Sequence, residues 1–287
     1  MWIILSVIAA IISAFAVILQ KSGSERPDVI HVGALCNAAA FVTMLLAVLI
    51  SGNLWQLPEI SSVSWMLSLA SGLVQAFSWV TYFIAIKDAD INAMMALDKL
   101  NIVAAMILAW FLLGEAITLI MLLGTVLILI GSFWMADICL HDLLSSRSEN
   151  RWVLSAVVSP ILMAVSNIIA KLDTSSVSTD LNSAIRMFVV TAVVGLLALF
   201  ERRDPILARS CRKVTLFLLL SGVLIGASYL LMYRALILGS AAAVTTIVKG
   251  SIIVTTILAR IFYGEKLSKK GLIGFCMVFT GIICFAF

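Results

Sequence analysis

The stretch "ALDKLNIVAAMILAWFLLGEAITL" at residues 96–119 returns 150 residues later as "TIVKGSIIVTTILARIFYGEKLSK" at residues 246–269, with the same layout. Each version carries a lysine, Lys99 or Lys249, near the start of a long apolar run and a Gly-Glu pair near its end. A charge inside an apolar segment is costly to place in a membrane and usually serves a function. A charge at the same place twice therefore predicts a duplicated unit with a functional centre.

The apolar composition predicts a membrane protein. Apolar residues make up 63% of the sequence and charged residues only 12%, against about 25% charged residues in an ordinary soluble domain. Ten stretches, here numbered as spans 1 to 10, are long enough to cross a hydrocarbon core as helices. They lie near residues 2–20, 31–51, 63–86, 92–113, 117–136, 152–170, 181–200, 214–236, 241–262 and 269–287. We predict an all-α polytopic membrane protein with ten transmembrane helices.

The offset of 150 residues relates matching positions along nearly the whole chain. The informative matches are Trp2 and Trp152, Lys21 and Lys171, Ser78 and Ser228, Gly124 and Gly274, and Gly131 and Gly281. They predict a first five-helix unit at residues 1–138, a connecting loop at 139–150 and a second five-helix unit at 151–287. Because five is an odd number, the second unit is expected to be inverted relative to the first, as in secondary transporters.

The remaining composition argues against several classes of protein. The net charge of +4 is carried largely by short loops, which suits lipid headgroups better than a nucleic acid. The five cysteines are odd in number without C-x-x-C spacing, and the two histidines form no H-x-x-x-H pair, so we predict no disulfide framework and no metal site. No nucleotide-binding motif is present, and we predict no cofactor, no enzyme activity and no direct use of ATP.

Basic residues in the loops predict the orientation. The loops after spans 7 and 9 are rich in lysine and arginine, whereas the equivalent loops of the first unit, "SGNLWQLPEISSV" and "LGEAITL", contain none. The basic residues are Arg202, Arg203, Arg209, Arg212, Lys213, Lys266, Lys269 and Lys270. Cytoplasmic loops hold the positive excess. We therefore expect a multi-pass protein of a bacterial inner membrane with both termini outside the cytoplasm.

The repeated Gly-Glu pair resembles a motif of the EamA-type ten-helix transporters, which belong to the drug/metabolite transporter superfamily. In that family the repeat ends in Gly-Glu-Lys/Arg at the start of its last helix. The motif is intact here as Gly264-Glu265-Lys266 and weakened as Gly114-Glu115-Ala116. The resemblance implies a central substrate site with spans 4 and 9 facing each other across it. Many members of the superfamily are thought to have cytoplasmic termini, so the resemblance and the loop charges imply opposite orientations.

The two lysines are the first candidate site residues. Lys99 and Lys249 lie roughly 12 Å inside spans 4 and 9, at 1.5 Å per residue. In an inverted repeat both are then close to the membrane centre, where two ammonium groups form a site for a phosphate or carboxylate. The resemblance implies the same, because sugar-phosphate translocators use lysines on these helices to hold phosphate. The structural alternative is that Lys99 neutralises Asp98, while Lys249 snorkels or pairs with another acid.

Three polar neighbours are further candidates. Asp98 is either the proton acceptor that couples transport to a gradient or a fixed counter-ion of Lys99. Its equivalent in the second unit is Val248, so it breaks the symmetry. Asn101 and its equivalent Ser251 either donate hydrogen bonds to a substrate or bond between helices.

Aromatic residues on spans 3 and 8 form a second repeated group. Trp79 and its equivalent Tyr229 are followed one turn later by Tyr82 and Tyr233. These residues either line the substrate site and stack on a substrate ring, or pack the interior. Arg186 on span 7 either adds a third positive group at the cavity mouth or snorkels to the membrane surface.

Two further repeated features are expected to be structural. The paired glycines of spans 5 and 10 leave a smooth stripe for close helix packing, either within the fold or across a homodimer. Glu115 and Glu265 stand at the turns that enter these two spans, where a carboxylate favours the positive end of a helix.

Together these features predict a secondary transporter that works by alternating access, with spans 3, 4, 8 and 9 around a small anionic or zwitterionic metabolite. One alternative is an exporter of amino acids or of amphipathic and aromatic compounds, with internally paired lysines. Another is a translocase for a lipid-phosphate carrier, in which the same lysines hold a lipid phosphate. The expected partners are a small-molecule substrate and membrane lipid, without nucleic acid.

Overall fold

A computed structural model describes residues 1–23, 29–88, 94, 96–136, 151–173, 178–201, 212–264 and 268–286. These residues form eleven α-helices and one short 3-10 helix, and they contain no β-strand. The α-helices are α1 (Trp2–Gly23), α2 (Val29–Ile50), α3 (Ser62–Asp88), α4 (Leu100–Leu113), α5 (Leu119–Ala136), α6 (Arg151–Leu172), α7 (Thr179–Phe200), α8 (Arg212–Leu238), α9 (Ala241–Lys249), α10 (Ser251–Tyr263) and α11 (Lys269–Ala286). Outside the described residues lie Arg202, Arg203, Arg209, Glu265 and Lys266.

Among the described residues, eight helical stretches are long and apolar enough to cross a membrane. They are Trp2–Gln20, Val29–Ile50, Ser62–Ile86, Leu119–Ala136, Trp152–Leu172, Thr179–Phe200, Lys213–Leu238 and Ala241–Tyr263. Large apolar side chains such as Phe111, Leu119 and Phe200 are 77%, 73% and 87% exposed, as expected for helices that face lipid. The protein is therefore a multi-pass membrane protein, as its composition predicts.

Two of the predicted spans are interrupted. In span 4, Asp98 and Lys99 form a turn and α4 begins only after them. In span 9, Gly250 separates α9 from α10. The backbone tightens at both breaks, because Ile102 N–H donates to the Lys99 carbonyl and Ile253 N–H donates to the Gly250 carbonyl, each at 3.0 Å. The prediction of unbroken helices is wrong at these two places, where irregular backbone is tolerated because it lies inside the protein.

Equivalent pairs of helices pack together in the two halves of the chain. α3 packs on α6 as α8 packs on α1, and α3 packs on α7 as α8 packs on α2. A Cβ at Gly72 would lie 3.0 Å from the carbonyl oxygen of Arg186, and a Cβ at Gly222 would lie 2.5 Å from that of Cys36. Each residue of the second contact is 150 positions from its counterpart in the first, so the offset is visible in the packing.

Serine hydroxyls bond across two of these helix pairs at equivalent levels. Ser166 of α6 donates to the carbonyl oxygen of Ser71 in α3 at 2.8 Å. At the matching level of the other pair, Ser221 of α8 donates to the carbonyl oxygen of Ala16 in α1 at 2.9 Å. The two bonds occupy equivalent places, although the hydroxyl comes from a different helix of the pair in each half.

Glycines bring α5 and α11 into backbone contact. A Cβ at Gly124 would lie 2.8 Å from the carbonyl oxygen of Gly281, and a Cβ at Gly131 would lie 2.7 Å from that of Gly274. A larger residue would push the helices apart, so this stripe packs within the chain. The packing alternative drawn from the sequence fits this contact. A homodimer through these helices stays a prediction and would have to use another face of them.

Candidate functional site

Asp98, Lys99 and Lys249 meet at the two helix breaks. The ammonium of Lys249 lies 2.7 Å from both carboxylate oxygens of Asp98, and the ammonium of Lys99 lies 3.8 Å from one of them. Lys99 also donates to the carbonyl oxygen of Lys249 at 3.4 Å. Asp98 and Lys99 belong to the first half and Lys249 to the second, so this group joins the halves. We call these three residues the central cluster.

The helix breaks explain why these side chains converge. α9 ends at Lys249, so the negative end of its dipole faces the turn that holds Lys99. A Cβ at Gly250 would lie 2.7 Å from Cδ1 of Ile282 in α11. α11 therefore packs directly against the break and holds the end of α9 in place.

The central cluster is mostly buried and carries a net positive charge. Side-chain exposure is 7% for Lys99, 25% for Lys249 and 32% for Asp98, so the cluster is most open at Asp98. Two ammonium groups and one carboxylate leave one positive charge at neutral pH. Among the described residues, Asp98 is the acid that pairs with these lysines. Buried charge without a counter-ion is costly, so one further anionic group would stabilise the cluster.

Asp98 is shared by both lysines and is not reserved for Lys99. The nearer partner is Lys249, which the sequence-based alternative paired with an unnamed acid. The sequence gives no signal for this choice, because Asp98 has Val248 as its equivalent and the repeat does not show which lysine faces it.

Asn101 and Ser251 flank the central cluster in different ways. Nδ2 of Asn101 donates to the carbonyl oxygen of Pro160 in α6 at 2.9 Å, so its amide bonds between helices. Oδ1 of the same residue has no hydrogen-bond partner among the described residues. Ser251 begins α10 directly after the break and is partly exposed. The asparagine therefore has one atom for helix packing and one that is available to another donor.

The predicted aromatic residues form two ring pairs, and one member of each pair lies near the central cluster. Trp79 packs edge to face against Tyr82 with ring centroids 5.8 Å apart, and Tyr229 stacks on Tyr233 at 6.0 Å. Tyr82 and Tyr229 both lie within electrostatic range of the Asp98 carboxylate. We call the two pairs Trp79–Tyr82 on α3 and Tyr229–Tyr233 on α8 the aromatic wall.

Arg186 lies behind the aromatic wall. It is 3% exposed, and its Cζ lies 4.2 Å from the centre of the Tyr233 ring. Its Nε donates to the carbonyl oxygen of Asn182 at 3.4 Å. The predicted snorkel is wrong, because the guanidinium lies in the interior, where the face of a buried tyrosine attracts it. A positive group at a cavity mouth stays a prediction for Arg186.

Gln75 is a polar residue that sequence reasoning missed. It is 1% exposed on α3, and its Oε1 accepts a hydrogen bond of 3.1 Å from the Tyr233 hydroxyl. Trp79 follows it by four residues, so both side chains lie on the same face of α3. An uncharged amide in an apolar span, one turn before a candidate residue, is the signal that identifies it in hindsight.

Glu115 forms a second charged group between the halves. Its carboxylate accepts from Lys171 at 2.5 Å, from the Ser240 hydroxyl at 2.6 Å and from the Ala241 N–H at 2.9 Å. Lys171 also donates to the carbonyl oxygen of Gly239 at 2.5 Å. We call these five residues the Glu115 cluster.

The Glu115 cluster corrects one prediction. The sequence places Glu115 at the N-terminal end of α5, whereas its carboxylate caps the N-terminal end of α9 in the other half. The chain turns sharply there, because Gly114 ends α4 with a left-handed φ of 65°. Partial burial alone would raise the pKa of Glu115, but the donors of the cluster and the charge of Lys171 hold it below its usual value of 4.5. The equivalent Glu265 lies outside the described residues.

Sequence comparison covers nearly the whole chain. The sequence pattern of the EamA-like transporter family matches residues 1–136 and 150–287. The chain belongs to the EamA-like transporter family. This confirms the resemblance drawn from the repeated Gly-Glu motif, and the family assignment identifies a membrane transporter.

Two individual comparisons agree with the assignment of this EamA-like transporter. A protein from Sinorhizobium sp, described as an uncharacterized transporter in the cobO 3' region, is 32% identical over 139 residues, which make up 47% of this chain and 96% of that relative. A crystal structure, described only as that of a protein, has a TM-score of 0.78 at 17% identity and covers 98% of this chain and 96% of its own. At this low identity the second comparison shows the fold alone.

Proposed function

We propose that this EamA-like transporter is a secondary active transporter that moves a small anionic or zwitterionic metabolite by alternating access. Its ten membrane-crossing segments would form two inverted units of five, related by the offset of 150 residues. The family match supports transport, and the equivalent contacts at Gly72 and Gly222 support the relation between the units.

The central cluster is the observation that carries the proposal. Lys249 is held by Asp98 at 2.7 Å, and Lys99 shares the same carboxylate at 3.8 Å. Asp98 thus stands where an anionic substrate group would bind. An incoming carboxylate or phosphate competes with Asp98 for the ammonium groups and balances the excess positive charge. A zwitterion also fits, because its ammonium binds Asp98 while its carboxylate binds the lysines.

Asp98 gives the site a means of coupling transport to protons. Protonation of Asp98 releases Lys249 and leaves two ammonium groups without a counter-ion, which favours the binding of an anion. Loss of the proton on the other side of the membrane restores the pair and favours release of the anion. By linkage, the anion in turn raises the affinity of Asp98 for its proton.

The neighbouring residues would complete the substrate site. The aromatic wall faces the organic part of the substrate, while Ser251 and Oδ1 of Asn101 supply uncharged hydrogen-bonding atoms. The basic loops after spans 7 and 9 support an orientation in a bacterial inner membrane with both termini outside the cytoplasm.

The short contact between Asp98 and Lys249 also favours a second candidate function. If that ion pair is permanent, the lysines are structural and the aromatic wall alone recognises the substrate. The protein would then export amino acids or amphipathic and aromatic compounds.

A thermal-shift screen of the purified protein separates the candidates. Phosphorylated metabolites, carboxylates, amino acids and organic cations are tested on wild type, Lys99→Gln and Lys249→Gln, with exposed Lys269→Gln as the control for loss of a charge. Stabilisation by a water-soluble anion that is lost in both variants and kept in the control supports the proposal. Stabilisation that survives in both variants, or that only cations or aromatic compounds produce, overturns it in favour of the second candidate.

A further inference from the structure

Three buried N–H groups belong to the aromatic wall or to side chains near it. Nε2 of Gln75, Nη1 of Arg186 and Nε1 of Trp79 make no hydrogen bond with any described residue. Gln75 and Arg186 are only 1% and 3% exposed. Folded proteins pair nearly all of their buried donors, because an unpaired donor loses its bonds to water without replacement. Three such donors in one region indicate an acceptor that comes from outside the chain.

Two of these donors belong to residues that contact Tyr233, and the third lies one helical turn along α3. The Tyr233 hydroxyl donates to Oε1 of Gln75 at 3.1 Å, and the Arg186 guanidinium lies 4.2 Å from the centre of the same tyrosine ring. Trp79 lies one helical turn beyond Gln75 on α3. We call Gln75, Trp79 and Arg186 the donor group, to which α3 and α7 contribute around a side chain of α8.

The donor group has the chemistry of a site for an oxyanion. The three atoms are all N–H donors, and the guanidinium adds a full positive charge and a planar fork that matches carboxylate or phosphate oxygens. Burial strengthens each of these bonds, because water does not compete for the donors.

The nearby acid Asp173 does not take this role. It lies within electrostatic range of Arg186. Its oxygens, however, accept hydrogen bonds from Asn182 at 2.8 Å and from the hydroxyls of Ser64 and Ser68. Asp173 therefore balances part of the charge of Arg186 without pairing the three donors.

The aromatic wall links the donor group, with which it shares Trp79, to the central cluster. Tyr229 stacks on Tyr233, which contacts both Gln75 and Arg186. Tyr229 is also within electrostatic range of Asp98 in the central cluster. A molecule that lies along Tyr229 would therefore have positive charge near both of its ends.

We infer that the donor group is a second oxyanion site, which binds a carboxylate or phosphate at the far end of a substrate whose first anionic group is held by the central cluster. This inference rests on the proposed function and narrows the substrate class to acids with two separated oxyanion groups. The two ends of the substrate would then bind to elements from both halves of the transporter.

Matched pairs of acids test the inference on the purified full-length protein. Titration calorimetry compares succinate with butyrate, glutarate with valerate, and phosphoglycolate with ethyl phosphate. In the pair of the best length, we expect the two-ended acid to bind wild type about tenfold more tightly or better, as for one added charge-assisted hydrogen bond.

Variants of the donor group then test whether this group causes the preference for two-ended acids. In Arg186→Gln we expect the two acids of a pair to bind within about twofold of each other, because that change removes the only full charge of the donor group. Gln75→Leu is combined with Tyr233→Phe so that no buried hydroxyl is left unpaired, and this double variant tests the site if Arg186→Gln does not fold. Exposed Arg260→Gln is the matched control and should keep the wild-type preference.

The outcomes separate this inference from the proposed function. Equal affinity for one-ended and two-ended acids in wild type, or a preference that survives in the variants, overturns the second site. In either case one-ended binding that is lost in Lys249→Gln leaves the proposed function in place. Failure of every acid in the series to bind wild type overturns both.

Discussion

The two charged clusters that join the halves differ in how their charges balance. In the Glu115 cluster one ammonium faces one carboxylate, and the donors of Ser240 and Ala241 complete it. In the central cluster two ammonium groups share one carboxylate. Asp98 is also 32% exposed, against 17% for Glu115. A cluster whose charges balance gains no stability from an anionic ligand, whereas a cluster with excess positive charge does. Ion pairs of similar length, 2.5 and 2.7 Å, can therefore serve different purposes.

Loss of Lys249 should have the largest effect, and it should be on transport. We expect Lys249→Gln to lower the uptake of the anion found in the binding screen by about 100-fold, because a charge-assisted bond to the substrate is lost. Lys171→Gln breaks a similar pair in the Glu115 cluster and should leave uptake within about threefold, since it holds no substrate. Uptake into proteoliposomes, normalised to folded protein, measures both. Equal losses in the two variants would abolish the distinction between the clusters.

The second prediction concerns the stability of the central cluster. Lys249→Gln leaves Asp98 with only its more distant partner, so we expect a loss of about 2 kcal/mol. Adding Asp98→Asn should deepen that loss, because the buried ammonium of Lys99 is then left without its carboxylate partner. Anion binding should not return in the double variant. Unfolding temperatures and calorimetry measure the two effects, and recovery of binding would show that Lys249 is not an anchor.

Glu115 should act on stability and leave affinity unchanged. We expect Glu115→Gln to cost about 2 kcal/mol, since it weakens three hydrogen bonds, while anion affinity stays within about twofold. The folded pKa of Glu115 lies below 4.5, so its contribution is complete above pH 4.5 and is lost as the pH falls through the folded value. The gap in unfolding temperature between wild type and Glu115→Gln should therefore narrow below that pH. A gap that widened in acid would contradict the assigned direction.

Ser240 should give the smallest effect. Its hydroxyl donates to Glu115 and accepts from the N–H of Ala243 as the N-cap of α9. Ser240→Ala should therefore lower stability by about 1 kcal/mol without a change in anion affinity. Thr280→Ala removes an exposed intrahelical hydroxyl and serves as the control, with little expected change in unfolding temperature. A loss of affinity in Ser240→Ala would show that the Glu115 cluster communicates with the central one.

Features that repeat along the sequence could be predicted, because they depend on local pattern. The length of the apolar stretches predicts the multi-pass helical fold, and the offset of 150 residues identifies Lys99 and Lys249 as equivalent residues. The same offset pairs Trp79 with Tyr229, and the structure places Tyr229 within electrostatic range of Asp98 and packs Trp79 against Tyr82, which is also in that range. The Gly-Glu motif led to the family that the comparison then confirmed.

Choices between partners could not be predicted, because they depend on three-dimensional placement. A carboxylate is stabilised at the positive N-terminal end of a helix, which explains why Glu115 lies at such an end. The sequence suggests the nearby N-terminus of α5, whereas the folded chain brings Glu115 to the N-terminus of α9. Arg186 has the depth in its span of a residue that can snorkel, and contacts with the Tyr233 ring and the Asn182 carbonyl oxygen explain why it stays inside. The break at Gly250 has a local signal, because glycine weakens a helix, but the equivalent position of the first half is Leu100, and the break at Lys99 has neither glycine nor proline.

The serine bonds of α6 and α8 have a consequence for how such halves drift apart in evolution. One serine hydroxyl bonds a backbone carbonyl at this level of each helix pair. In the α3–α6 pair the hydroxyl is that of Ser166 in α6, and in the α1–α8 pair it is that of Ser221 in α8, the equivalent of α3. Selection can therefore preserve the hydrogen bond between the two helices even when one of them has lost its serine. Position-by-position identity between two related halves then understates how much of their architecture has been retained.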